Sequence, residues 1–257
     1  MKTTLKISTL LVALASVFTF SSCLNSNEDS TYPAYASYVT ITGDQFMGYT
    51  FYSDFGCVLR PTSASVQEVL PGLGNSNVKR AYVSFDLASA TENGQNLEVG
   101  KIYDIILRQS YYANYAIPTY NTIEHTAASD SLITNNKRVQ DVNKDIWASN
   151  GYLNALITIN YQQNKTFSMN TFYNREKDID PATNTMYLNL FYDSKSQNPT
   201  AQGQSVFSFD LPEHVVGQFS SDTINVVLKA IADFDETTLV EVGKCRVAKK
   251  DFYTPMF

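Results

Sequence analysis

Beyond residue 35, apolar and polar side chains alternate with a period of two, the pattern of strands that turn one face to a core and the other to water. In Ala81-Tyr82-Val83-Ser84-Phe85-Asp86-Leu87, the residues Ala81, Val83, Phe85 and Leu87 share one face, and Tyr82, Ser84 and Asp86 share the other. A helix would scatter such residues around its circumference, so strands must carry the fold. The alternation predicts five strands in the first half, at 37–42, 46–53, 57–60, 78–87 and 101–108, enough for a small barrel. Residues 61–72 interrupt it with Val66, Val69 and Leu70 at helical spacing, closed by Pro71-Gly72, and one short helix is expected there. Six strands follow at 152–161, 166–173, 186–194, 205–211, 223–231 and 238–247, which implies a sandwich. The polar connectors 162–165, 193–199 and 233–236 read as the turns of antiparallel hairpins. Between the two sets, Tyr111, Tyr112, Tyr115 and Tyr120 surround Pro118, and a polar run passes through Ser129, Asp130, Asn135 and Asn136. The domain junction is expected here, with one domain over 36–120 and the other over 121–257.

Residues 1–22 read as a secretory leader: Lys2 and Lys6 form a basic start, and the mostly apolar stretch 7–20 is short for a bilayer span. The leader ends Phe20-Ser21-Ser22-Cys23, and a cysteine directly after two small residues is what lipoprotein processing requires. Cys23 is therefore the expected lipidation site, and residues 23–35, small and polar with Glu28 and Asp29 adjacent, the tether. Attachment to a membrane would be through that N-terminal lipid, since no second hydrophobic run could cross one. Two cysteines remain, Cys57 and Cys245; buried reduced thiols are favoured over a disulfide, which an oxidising compartment would permit.

The leader resembles the lipobox of Bacteroidota lipoproteins. The longer pattern is Gly100-Lys101-Ile102-Tyr103, then Ile146-Trp147 with Gly151-Tyr152-Leu153-Asn154, then Met186-Tyr187-Leu188-Asn189-Leu190 and Ser205-Val206-Phe207-Ser208-Phe209-Asp210-Leu211. It resembles the NigD-like lipoproteins of the same phylum over nearly the whole chain. The resemblance implies an all-β chain, with an N-terminal OB-like five-stranded barrel followed by a C-terminal antiparallel β-sandwich. The family has no established activity, and its name comes from a bacteriocin locus, which hints at immunity. Acidic residues after a lipidated cysteine resemble an export signal in these bacteria, so the outer membrane is the expected location, its cell-surface face favoured over the periplasmic one. Three triplets match an O-glycosylation pattern of the phylum and make Ser30, Ser131 and Thr223 candidate acceptors.

Motifs for metal binding, nucleophilic catalysis and phosphate binding are missing from the sequence, so no enzyme, no cofactor and no metal are expected. His125 and His214 read as surface histidines, and Asp178-Ile179-Asp180 and Asp233-Phe234-Asp235-Glu236 as solvated hairpins rather than calcium loops. With Lys+Arg 19 against Asp+Glu 25 the formal charge is −6, which argues against nucleic acid as a partner. The remaining candidates are aromatic. Tyr111, Tyr112, Tyr115 and the single Trp, Trp147, could form a platform for a protein or glycan partner. The packing alternative, which is favoured, puts Trp147 in the sandwich core and the tyrosines at the domain interface. Three functions stay open: a binding protein of the envelope, an immunity protein against a toxin, or a glycan-binding lipoprotein of an uptake system.

Overall fold

Five strands, β1 (Tyr35–Asp44), β2 (Gly48–Ser53), β3 (Val58–Pro61), β4 (Arg80–Leu87) and β5 (Ile102–Leu107), close into a barrel in the computed structural model, which describes residues 33–71, 73, 78–110, 113–126, 136–195, 198–231 and 238–255. The strand order is β1-β2-β3-β5-β4, and β4 returns to pair with β1. Closure is possible because β1 is long: its second half pairs with β2 from Val39↔Ser53 onward, and its first half with β4 from Tyr35↔Phe85. β3 and β5 run parallel, the pairing that a crossover between them allows. The crossover contains α1 (Ser63–Val69), whose first turn is capped by the Thr62 hydroxyl accepting from the Ser65 backbone N–H at 3.3 Å. Val66 and Val69 turn inward from this helix and join Val39, Phe51, Leu59 and Phe85 in the barrel core. This is the OB-like topology expected from the resemblance, and the inward faces are those the alternation marks.

The chain leaves the barrel between β6 (Tyr115–Ala116), which pairs with β4, and β7 (Thr119–Tyr120), which pairs with β15 (Ala201–Asp210) of the second body. One sheet of that body contains β10 (Trp147–Ser149), β11 (Tyr152–Tyr161), β15 and β7, with β9 (Asp141–Val142) also on β11. The other runs β17 (Leu239–Ala248), β16 (Thr223–Ile231), β14 (Thr185–Asp193), β12 (Ser168–Tyr173) and β8 (Thr122–Glu124), with β13 (Ile179–Asp180) on β14. β7 and β8 are separated by Asn121 alone, yet they enter different sheets. Thr122 ties the two layers together, its hydroxyl 2.6 Å from that of Thr171 and also bonded to the Asp210 carbonyl. The sandwich core contains Leu153, Ile157, Leu188, Phe209, Val226 and Phe252.

The sandwich departs from pure antiparallel pairing in one respect. β14 and β16 run parallel, as do β12 with β8 and β15 with β7. The cause is that β15, which lies between β14 and β16 in sequence, crosses to the opposite sheet and leaves those two as neighbours. The connectors at 162–165 and 193–199 are accordingly arches between sheets rather than hairpin turns, while β16 and β17 do form a hairpin. Residues 232–237, which include the whole of the third connector, lie outside the described residues. Cys57 belongs to the barrel core and Cys245 packs against the sandwich core; both are free thiols, and burial pushes Cys245 up to about 12. No helix among the described residues is long and apolar enough to cross a membrane.

Candidate functional site

The outer face of β1 and β4 is only partly open to solvent, because the sandwich edge formed by β10 and β11 covers one end of it. At that seam Arg80, 0% exposed, extends from β4 and forks onto Asp54, with Nη1 donating to Oδ1 at 2.7 Å and Nη2 to Oδ2 at 2.8 Å. Nη1 also donates to the Thr40 hydroxyl at 2.8 Å, and Nη2 crosses to the sandwich to reach Asn154 Oδ1 at 2.9 Å. The Arg80 Cζ lies 5.5 Å from the Tyr152 ring centroid. Asp54 is bound from the sandwich as well, accepting from Trp147 Nε1 at 2.8 Å. Asn154 is saturated: its oxygen also accepts from Ser208 Oγ at 2.6 Å, and its amide donates to the Trp147 and Tyr152 carbonyls at 3.4 and 3.5 Å. A planar guanidinium suits this position because it can bind a carboxylate by two N–H groups and still serve two other acceptors.

Trp147 reaches the seam through a two-residue hairpin. Ser149 and Tyr152 pair across Asn150-Gly151, whose φ values of 53° and 86° place both in the left-handed region demanded by a type I′ turn. The turn sets the register that puts Trp147 opposite Asn154. Asn150 adds a second tie to the barrel, donating to the Tyr52 carbonyl at 3.3 Å.

From Trp147 a row of aromatic rings runs across the barrel surface. The Trp147 ring lies 5.2 Å from Tyr38 on β1, Tyr38 lies 4.6 Å from Tyr82 on β4, and Tyr82 lies 5.7 Å from Tyr115 on β6, centroid to centroid. The tyrosines are direct cross-strand partners, Tyr38↔Tyr82 and Tyr82↔Tyr115, so sheet pairing itself stacks the rings. Their interplanar angles, between 42° and 48°, make the row a twisted ribbon. Tyr115 is 42% exposed and the other three are half-buried. Burial, reinforced by the neighbouring Tyr115, Tyr82 and Asp54, pushes Tyr38 up to about 12.

Burial likewise raises Tyr152 and Tyr192 to about 12, each with a nearby aspartate adding to it. A phenol raised above its unfolded value of 10 favours folding while neutral. That contribution is complete below pH 10 and disappears as pH rises through about 12. The unfolding midpoint should therefore fall between pH 10 and 12, and fall less in Tyr38→Phe, as alkaline urea titrations would show.

The structure thus joins Tyr115 and Trp147 through Tyr38 and Tyr82, which the sequence does not single out. Trp147 is not a plug of the sandwich core; its indole N–H is committed to Asp54, a partner in the other domain. Tyr111 and Tyr112 lie outside the described residues, as do Cys23, Ser30 and Ser131. Thr223 opens β16, half-buried. The Asp178 and Asp180 carboxylates serve their own turns: Asp178 accepts from the Asn174 backbone N–H at 2.8 Å, and Asp180 from the Thr183 hydroxyl at 2.6 Å, which lowers Asp180 below the usual carboxylate range. His214 has more company than an isolated surface histidine, with Nε2 2.6 Å from the Tyr173 hydroxyl and 3.8 Å from Glu124, itself paired with Arg175. No group of three or more His, Cys, Asp or Glu side chains suited to a metal ion occurs among the described residues. A cleft of about 100 Å³ between α1 and the β1–β2 turn, lined by Tyr49, Val66 and Leu70, shares no residue with the row and is small for a ligand pocket.

Residues 121–242 match the family model of the NigD-like C-terminal β-sandwich domain. The C-terminal domain is NigD-like. Solved structures share the two-domain fold. A NigD-like immunity protein of Bacteroides caccae aligns at 16% identity with a TM-score of 0.54, covering 84% of this chain and 98% of that one. A toxin-related protein of Parabacteroides distasonis aligns at 17% identity with a TM-score of 0.58, covering 84% of this chain and 94% of its own. An uncharacterized protein of Parabacteroides merdae reaches a TM-score of 0.54 at 9% identity, covering 84% of this chain and 99% of that one. At these identities the likeness shows the fold alone. No curated protein matches the chain significantly.

Proposed function

We propose that this chain is a lipid-anchored, non-catalytic protein of the outer membrane, and that the row Tyr115–Tyr82–Tyr38–Trp147 is the surface it presents to a protein or glycan. The row carries this reading: four strands from both domains converge on it, and the buried Arg80–Asp54 pair of the barrel bonds across to Asn154 and Trp147 of the sandwich beside it. Rigid aromatic groups with polar tips supply contact area at low entropic cost, which suits a recognition surface. Cys23 would supply the anchor, and Glu28 and Asp29 favour the cell-surface face. A second reading is immunity, with a secreted toxin as the partner. The names of two structural neighbours, one an immunity protein and one toxin-related, favour it.

Capture of partners from intact envelopes tests the row. Tyr115→Ala, at an exposed position, should leave the free energy of unfolding within about 1 kcal/mol of wild type but weaken partner binding by more than about tenfold. Undiminished capture would remove the row from the site. For the immunity reading, a deletion strain should become sensitive to the toxin and be rescued by the wild-type chain but not by Cys23→Ser.

A further inference from the structure

We propose that the barrel end beside the tether rests on a lipid bilayer through Phe55, Val99 and Ile102, three residues outside the aromatic row; the proposal rests on the lipid anchor of the reading above. These side chains are 60%, 80% and 53% exposed, large values for apolar groups gathered at one place. They come from two loops fastened to each other. Gly100 donates to the Gly56 carbonyl at 2.8 Å and Val58 to the Lys101 carbonyl at 2.8 Å, while Val99 lies over Gly56, its Cγ1 3.1 Å from the place a Cβ there would occupy. The patch is therefore a built feature of the β2–β3 turn and the approach to β5.

Its position points to lipid as the occupant. The β2–β3 turn is bonded to the first half of β1 through Asp54 N–H and the Tyr38 carbonyl at 3.0 Å. The β4–β5 loop that presents Val99 accepts from the Tyr35 hydroxyl at Gln95, 2.8 Å away. Ala34, just before β1, donates to Asp86 Oδ1 at 2.8 Å, so the tether enters at this end of the barrel. The chain from Cys23 to Tyr32 spans at most about 35 Å even if fully extended, so this end stays within that reach of the anchor. Phe46 and Met47, 86% and 87% exposed, sit at the opposite end of β1, about 30 Å farther along a strand of ten residues. Charge decides the lipid type: Lys101 is paired with Glu98 at 2.5 Å and the chain from Cys23 onward, with 17 Lys+Arg against 25 Asp+Glu, carries −8, so a zwitterionic surface fits and an anionic one does not.

Hydroxyl-radical footprinting of the full lipidated chain on phosphatidylcholine vesicles, against Cys23→Ser with the same vesicles, tests this. Oxidation of Phe55 and Ile102 should fall at least threefold on the anchored chain, while that of Phe46 and Met47 should not change. Phe55→Ser/Val99→Ser should still float with the vesicles yet lose the protection at Ile102. A wild-type chain that does not float overturns the anchor, and this inference with it. A chain that floats without protection at Phe55 and Ile102, or with protection centred on Phe46 and Met47, overturns the patch alone. Protection seen in native envelopes but absent on vesicles would assign the patch to a protein partner and equally overturn the lipid assignment.

Discussion

Asp54→Ala should lower the free energy of unfolding by about 3–5 kcal/mol, because it leaves the Arg80 guanidinium in the seam, 0% exposed, with no counter-charge. The same change strips the Trp147 indole N–H of its acceptor, so the loss should be accompanied by an altered tryptophan emission in the still-folded protein. Asp54→Asn keeps an acceptor and should lose less, though more than 1 kcal/mol, since a neutral amide cannot offset the buried cation. Urea unfolding followed by tryptophan fluorescence measures both, with the midpoint falling at constant slope. A loss below about 1 kcal/mol for Asp54→Ala would mean that water enters the seam and that Asp54 does not anchor Arg80 and Trp147 there.

Gly151→Ala should cost about 2–4 kcal/mol, the next largest effect. A Cβ at this position would stand 2.6 Å from Thr254 Oγ1 and 2.9 Å from the Thr254 backbone nitrogen, and φ is +86°. Both the left-handed backbone and the collision with the C-terminal segment oppose it. Relief requires the 249–255 segment to move away, although Gly151 N–H is bonded to the Asp251 carbonyl at 2.8 Å. Thr254→Gly removes the Oγ1 contact and leaves the backbone nitrogen in place, so it should recover only part of the collision term of Gly151→Ala, a double-mutant cycle with a clear sign. Additive losses in that cycle would show that contact with Thr254 is not what constrains the turn.

Much of this architecture is legible in the chain because period-two alternation reports which face of a strand is inward. Val83, Phe85 and Leu87 are core, as their spacing demands, and Val66 and Val69 mark the one α-helix of the described residues. The strands of two or three residues, β6 to β10 and β13, leave no alternation to detect and are held by pairing alone. Parallel β14 and β16 escape notice for another reason: which sheet a strand joins is decided by packing between layers, and alternation is the same in either.

The site is less legible than the fold. Arg80, Tyr38 and Tyr82 occupy outward positions of barrel strands, where alternation assigns them to water; that the sandwich covers Arg80 depends on a domain some seventy residues away in sequence. Asn154 sits in a strand that reads as ordinary half-buried β-structure. One local signal was available for the seam: Asn150-Gly151 between residues of strand type is a strong hairpin marker, and it would have placed Trp147 on a strand opposite Asn154 rather than in the sandwich core.

The proposal that this chain works at a membrane depends on the fate of its N-terminus. Mass spectrometry of the protein purified from its native envelope tests that most directly. The account predicts a chain that starts at Cys23 with acyl groups on it, and a protein that keeps residues 1–22, or a cleaved one without acyl groups, would contradict it.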